Sequence, residues 1–400
     1  MHRRYVLGFL LSAGSIGAIS NTAFADESEE KPSPTLSIQA AYTAEGWSVV
    51  DGGLQNGNVY LDEFDLQLAL DLDRAVGWQG ARAFAYGLYN DGHSISARTG
   101  NIQGISNIET PVEALRLVEA WVDQSFAGDK GSLRVGLYKV DTEFDAGEVR
   151  ALFLNPSHGV GPDLAQSGQN GPSIFPVASL GARLNWNFDG GIYARAAILD
   201  GVPGDPTHPK RTTIDLDSSD GALILAEVGL TNDNGRLSLG GWTYTAEFPD
   251  LVTTATHDND WGAYASLEER LLAREEGFPF DLAGSLRFGV ANEDINPLSS
   301  FIGATVVATG LIPDRADDQL GFGIAVANSG NKYRSLTAMG GGRPADREID
   351  LELTYYADLT DWLSIQPDLQ WVIAPGSDNA IDDALVAGLR LQVKKTWDYE

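Results

Sequence analysis

From residue 35 to residue 394, apolar and polar residues alternate with a period of two, and that period restricts the chain to strands. Phe64, Leu66, Leu68, Leu70 and Leu72 share one face, while Asp65, Gln67, Ala69, Asp71 and Asp73 share the other. A helix would need a period near 3.6, so the run reads as an amphipathic strand. Val118, Ala120, Val122 and Phe126 oppose Glu119, Trp121 and Asp123, and Leu133, Val135 and Leu137 oppose Arg134 and Gly136. Ala182, Leu184, Trp186 and Phe188 oppose Arg183, Asn185 and Asn187; Leu282, Gly284, Leu286, Phe288 and Val290 oppose Ser285 and Arg287; Leu389, Leu391 and Val393 oppose Arg390 and Gln392.

Segments of this kind are expected near residues 35–44, 60–73, 81–90, 115–126, 132–140, 177–188, 191–200 and 221–231. Eight more follow near 235–247, 260–271, 279–291, 301–312, 318–329, 347–358, 361–374 and 384–394. The total of sixteen is even, and a length of roughly ten residues is what a tilted strand needs to cross an outer-membrane hydrocarbon layer. The links alternate in length. Tight ones, rich in Asp, Asn and Gly, run Arg74–Gly80, Ala127–Gly131, Asp189-Gly190, Asn232–Asn234, Pro313–Asp317 and Asp358–Asp361. Longer ones run Glu45–Asn58, Asp91–Ala114, Asp141–Pro176, Gly201–Asp220 and Gly330–Arg347. Long loops at one end only are the habit of an up-and-down membrane barrel, with short periplasmic turns and long extracellular loops. Trp186, Trp261 and Trp371 near strand ends, with Trp78 and Trp397 in a turn and at the terminus, suit an interfacial aromatic girdle.

The N-terminus points to export. His2, Arg3 and Arg4 precede an uncharged apolar stretch from Tyr5 to Ser20, and Ala23-Phe24-Ala25 offers a small-x-small cleavage site. The expected organisation is a signal peptide over residues 1–25, a mobile mature terminus over 26–34 and an all-β outer-membrane barrel over 35–400. Composition closes other routes. With no Cys, disulfide scaffolds and thiolate metal sites are ruled out, and a formal net charge of −29 opposes a phosphate-tracking nucleic-acid binder.

Several stretches resemble the carbohydrate-selective porins of the OprB family. They are GWQGARAFAYGLYNDG from Gly77, VEAWVDQSF from Val118, LRVGLYKVDTEF from Leu133, FLNPSHGVGPDL from Phe153 and FPVASLGARL from Phe175. The closing stretch carries most: LTDWLSIQPDLQWVIAPG from Leu359, then ALVAGLRLQV from Ala384. The resemblance runs over roughly residues 35–393 and implies a sixteen-stranded barrel that passes small sugars passively into the periplasm, without a cofactor. The partners it implies are small neutral sugars, outer-membrane lipid and the barrel-assembly machinery, with a homotrimer the usual assembly for such porins. One departure is the end of the chain. Such barrels commonly finish on an aromatic read by the assembly machinery, whereas this chain continues through Lys394-Lys395-Thr396-Trp397-Asp398-Tyr399-Glu400.

If the apolar parity faces lipid, the other parity lines the lumen. That places Arg134, Arg183, Arg195, Arg287 and Arg390 inside, with Glu119, Asp123, Glu227, Glu268, Asp350 and Glu352. A ring of one sign would suit an ion-selective pore; mixed signs with Trp121, Tyr193 and Tyr264 suit a neutral polyhydroxylated solute, whose hydroxyls bond guanidinium and carboxylate while rings cover its C–H faces. Glu119, Trp121, Arg134 and Arg183 are the expected eyelet. The longest link, Asp141–Pro176, contains Asn155 and His158, and by resemblance it folds inward as the constriction.

Other classes stay in view. A general, non-selective porin and a secreted soluble β protein that binds or processes carbohydrate share much of this pattern. The His residues at 2, 93, 158, 208 and 257 form no HExxH pair or triad neighbourhood, and neither a phosphate loop nor a dinucleotide fingerprint is present. The acidic run Asp215–Asp220 lacks the Gly and distal Glu of an EF-hand.

Overall fold

The computed structural model describes residues 34–274 and 277–400. The expected leader and most of the expected mature terminus, residues 1–33, lie outside the described residues.

Eighteen strands follow one another along the described chain. The first nine are β1 (Leu36–Gly53), β2 (Gly57–Asp71), β3 (Ala81–Asn90), β4 (Ala114–Phe126), β5 (Gly131–Tyr138), β6 (Ser179–Asn187), β7 (Ile192–Asp200), β8 (Ala222–Asn232) and β9 (Gly235–Tyr244). A small hairpin of β10 (Phe248–Pro249) and β11 (Thr256–His257) interrupts them. The rest are β12 (Asp260–Leu272), β13 (Asp281–Ala291), β14 (Leu298–Thr309), β15 (Gln319–Ser329), β16 (Arg347–Thr360), β17 (Leu363–Ile373) and β18 (Asp382–Tyr399). All but β10 and β11 join in one closed antiparallel barrel of sixteen staves, each hydrogen-bonded to its chain neighbours, with β1 closing on β18. Closure leaves no strand edge in a medium that offers no hydrogen bonds. Among the described residues no helix is long and apolar enough to cross a membrane.

The wall is inside out relative to a water-soluble protein. Leu286 is 58% exposed and its neighbour Arg287 only 2%. Leu133, Val135, Leu184, Phe288, Leu389, Leu391 and Val393 are likewise exposed, while Arg134, Arg183 and Arg390 are buried. Period two thus sorts the chain as expected, apolar residues outward and charged ones inward. Trp78, Trp362 and Trp397 lie exposed at the short-turn end, and Trp261 and Trp371 at the opposite end, giving two aromatic levels. Trp47, Trp121 and Trp242 are buried in the interior.

The short turns are as tight as their composition requires. Between β6 and β7, Gly190 and Gly191 take φ of 81° and 80°, and a Cβ on Gly191 would stand 2.0 Å from the Thr231 carbonyl oxygen.

Four local expectations are corrected. The Glu45–Asn58 link is no loop, because β1 and β2 continue as a long hairpin joined by residues 54–56. The Arg74–Gly80 link carries a helical turn, Leu72–Val76, capped by Asp71. Val118 does not face out: Tyr86 pairs with Glu119 but Gly87 with Leu117, so Val118 is the extra residue of a bulge and is buried. The bulge turns Arg116 inward as well as Glu119. Finally, the chain beyond Val393 remains in β18, its residues pairing with β1 from Ala41↔Lys394 to Leu36↔Tyr399.

Candidate functional site

Two long links fold into the barrel. The link after β3, residues 91–113, places Ile95, Ile105 and Ile108 against Trp47, Val49 and Leu61 of β1 and β2 and Val372, Ala384 and Val386 of β17 and β18. This apolar packing fills one side of the interior. The link after β5, residues 139–178, crosses the lumen and is fastened to the wall as it goes. Arg183 of β6 holds Glu143 (Nε 2.8 Å, Nη2 2.9 Å), and Glu268 of β12 accepts the backbone amides of Glu148, Val149 and Arg150 at 2.8, 3.0 and 3.3 Å. Glu352 of β16 accepts those of Leu154 and Asn155 at 2.6 and 3.1 Å, and Gln366 of β17 donates to the Leu152 carbonyl at 2.7 Å. Glu348 of β16 does for the first loop what Glu352 does for the second, accepting from the amides of Ile102 and Gln103.

Next to the apolar side around the barrel, a cavity of ≈ 340 Å³ opens along β2 to β7, toward the short-turn end. Its charged lining is Arg82, Arg134, Arg183 and Arg195 against Asp123, Asp129 and Glu143; Asn185, Asn187, Ser125 and Ser132 add neutral donors and acceptors, and Phe84 and Trp121 the apolar part. The charges interlock. Arg134 Nε donates to Asp123 Oδ2 at 3.0 Å, Arg183 Nη2 donates to the same oxygen at 2.7 Å, and Arg195 Nη1 donates to the Glu143 carbonyl at 2.7 Å. Burial alone would raise the Glu143 carboxyl, but the guanidiniums of Arg134, Arg183 and Arg195 outweigh it and hold the group well below the usual carboxylate range.

Of the expected site residues, Trp121, Asp123, Arg134, Arg183 and Arg195 come together in this cavity. Glu119 lies behind it, accepting from the Trp121 indole at 3.3 Å and the Lys139 amide at 3.2 Å. The others are inside the barrel but occupied elsewhere. Glu227 accepts from Tyr193 (2.8 Å), Tyr264 (2.7 Å) and Arg236 (2.8 Å). Glu268 seats the second loop, Arg287 pairs with Asp145 and Asp163 of that loop, and Arg390 pairs with Glu45 and Asn107. Asn155 donates to Asp350 at 2.9 Å. His158 is buried against Phe153, its ring nitrogens without hydrogen-bond partners, and burial followed by the nearby Arg150 charge lowers it to about 3. Among the described residues no group of His, Asp or Glu is arranged to hold a metal ion.

Residues 55–394 match the model of the family described as carbohydrate-selective porin, OprB family. The chain belongs to that family. It is similar to Porin B of Pseudomonas aeruginosa, 23% identical over 394 residues that cover 88% of this chain and 86% of that one. It is also similar to the putative porin QuiX of Acinetobacter baylyi, 21% identical over 387 residues covering 86% and 85%. Its fold is that of the high-pH structure of Pseudomonas putida OprB, with a TM-score of 0.79 at 19% identity over 90% of this chain and 94% of that one. It is therefore an outer-membrane sugar porin, a channel by family and fold.

Period two does not reveal every residue that shapes this porin's lumen. Glu143, Asp145, Arg150 and Asp163 sit on a loop without periodicity, where nothing marks which acid will meet which arginine. Arg116 was hidden by the bulge at Val118. Arg82 and Phe84 hold the inward parity of β3, and that parity was the available signal.

Proposed function

We propose that small neutral sugars diffuse passively into the periplasm along the β2–β7 side of this lumen, and that the cavity lined by Arg82, Arg134, Arg183 and Arg195 against Asp123, Asp129 and Glu143 is where they are selected. The observation that carries this reading is the interleaving of donor-only guanidiniums with acceptor-only carboxylates around one opening. A hydroxyl can donate and accept at once, so a polyhydroxylated solute replaces water at both kinds of group without adding charge. Asn155 and His158 belong to the inward loop that narrows the path, and Glu119, Glu227, Glu268, Arg287 and Arg390 build its walls. The protein performs no chemistry on its solute in this reading. Its other partners are outer-membrane lipid, the barrel-assembly machinery during insertion, and two further copies in a homotrimer, a state that the mass of the detergent-extracted channel would test.

Planar-bilayer conductance with a panel of blocking sugars tests the reading. Monosaccharides should reduce the current in a saturable way, and Arg134→Ala or Arg183→Ala should weaken that block. Equal permeation of charged solutes of the same size would reduce the protein to a general porin, and unchanged sugar block in both variants would remove the cavity from the pathway.

A further inference from the structure

The rings expected to cover sugar faces are already covered. The Arg134 guanidinium carbon lies 3.7 Å from the centre of the Trp121 ring and 5.1 Å from that of Tyr138. On the β3 side, Phe84 stacks on Trp121 with centroids 5.1 Å apart and planes 26° from parallel. Since β3 and β5 flank β4, Trp121 stands between Phe84 and Arg134. The arrangement recurs: Arg195 and Arg236 lie 4.4 and 5.2 Å from Tyr193, and Arg287 lies 5.5 Å from Tyr264 and 5.4 Å from Phe301.

The backbone makes room for the first of these stacks. Gly136 pairs directly with Trp121, with φ of +146°, and a Cβ there would fall 2.6 Å from the Trp121 Cα. The position is free of a side chain, which lets Arg134, two residues earlier on the same face, lean over the indole.

We infer that Phe84 and Trp121 are positioning residues for Arg134. This rests on the reading of the cavity as the selecting site. A guanidinium is planar and donates only in its plane. With Trp121 close over it and Tyr138 nearby, the guanidinium keeps its in-plane N–H groups for polar partners, and Asp123 takes the Nε donor at 3.0 Å. Phe84 acts through its stack on the indole, backing it so that the indole stays upright. Solutes therefore meet a fixed row of N–H groups, and the rings act through the arginine.

The test compares Trp121→Leu, Phe84→Leu and Trp121→Phe with Arg134→Gln in planar bilayers, using two readouts. The reversal potential in a KCl gradient reports where the Arg134 charge sits, without any sugar. Block by glucose reports solute recognition. Losing one cation–π contact should weaken glucose block about fivefold in Trp121→Leu and shift its reversal potential toward that of Arg134→Gln. Phe84→Leu should move both readouts the same way by a smaller amount, and Trp121→Phe should restore most of each. If Trp121→Leu and Phe84→Leu leave the reversal potential at the wild-type value, the inference is overturned; with glucose block lost in Trp121→Leu, the indole is then a sugar platform. Should the wild-type channel show no glucose block, the carbohydrate reading falls, while the reversal potentials still decide whether the rings position Arg134. Phe84→Leu also covers the case in which Trp121→Leu does not fold.

Discussion

Arg287 of β13 clasps Asp145 of the inward loop, donating from Nη2 at 2.8 Å and from Nε at 3.1 Å to the same carboxylate oxygen, with neither residue in contact with bulk water. A second loop carboxylate, Asp163, bonds the same guanidinium. Asp145 also ties the loop to itself, accepting from Arg150 at 3.4 Å and from the Gly161 amide at 3.0 Å.

Removing one partner of such a pair leaves an uncompensated charge inside the barrel. Arg287→Gln is expected to cost the seated loop about 3–5 kcal/mol. The variant should show larger and noisier single-channel conductance than wild type. A quiet channel of unchanged size would mean that the loop is held without this pair.

Glu268 and the three amides it accepts provide a milder cut. Charge-assisted hydrogen bonds contribute about 1.5–3 kcal/mol each, and a neutral amide oxygen keeps part of that. Glu268→Gln should therefore loosen residues 148–150 locally, seen as faster amide hydrogen exchange there, while exchange in β12 itself stays slow.

Acid should weaken the same loop. His158 is held neutral, at about 3 against an ordinary 6.5, so the unfolded chain takes up the proton more readily. Its contribution is complete above pH 6.5 and is lost as pH falls from there toward 3. Glu143 adds with the same sign: its contribution is present above its ordinary 4.5 and disappears as pH falls through its lower folded value. Current noise should rise between pH 6 and 4, and His158→Gln should flatten that rise. Noise independent of pH between 6 and 4 in the wild type would count against the assignment of His158.

The end of the chain is tested by truncation. Deleting residues 394–400 removes the pairing that runs from Ala41↔Lys394 to Leu36↔Tyr399. The truncated protein should lose most of its heat-modifiable, folded band on an electrophoretic gel, whereas Trp397→Ala should lower it only in part. Full folding without the last seven residues would show that closure above Val393 is sufficient.

Much of the architecture was readable because a lipid-facing strand writes its environment at every second residue. Leu133 and Arg134, or Leu286 and Arg287, state their sides without any knowledge of their neighbours. What eluded sequence reading depends on register or on loop path. A one-residue bulge at Val118 leaves no compositional mark, yet it inverts the parity around Arg116. Trp121 could be placed inside, but which partners take its two faces follows from Phe84 and Arg134 standing on either side of it. The inward course of residues 139–178 agreed with the family resemblance; that of residues 91–113 was not anticipated, because an aperiodic link reads the same whether it enters the barrel or leaves it.

Three wall carboxylates, Glu268, Glu348 and Glu352, grip the inward loops by their peptide N–H groups. A peptide N–H is the same whatever side chain follows it. This part of the fastening is thus indifferent to loop spelling, unlike the anchors that Glu143, Asp145 and Asp163 make through their own side chains. The inward loops are therefore an insert whose other side chains can be respelled one at a time, provided those three acids stay in the wall to receive them.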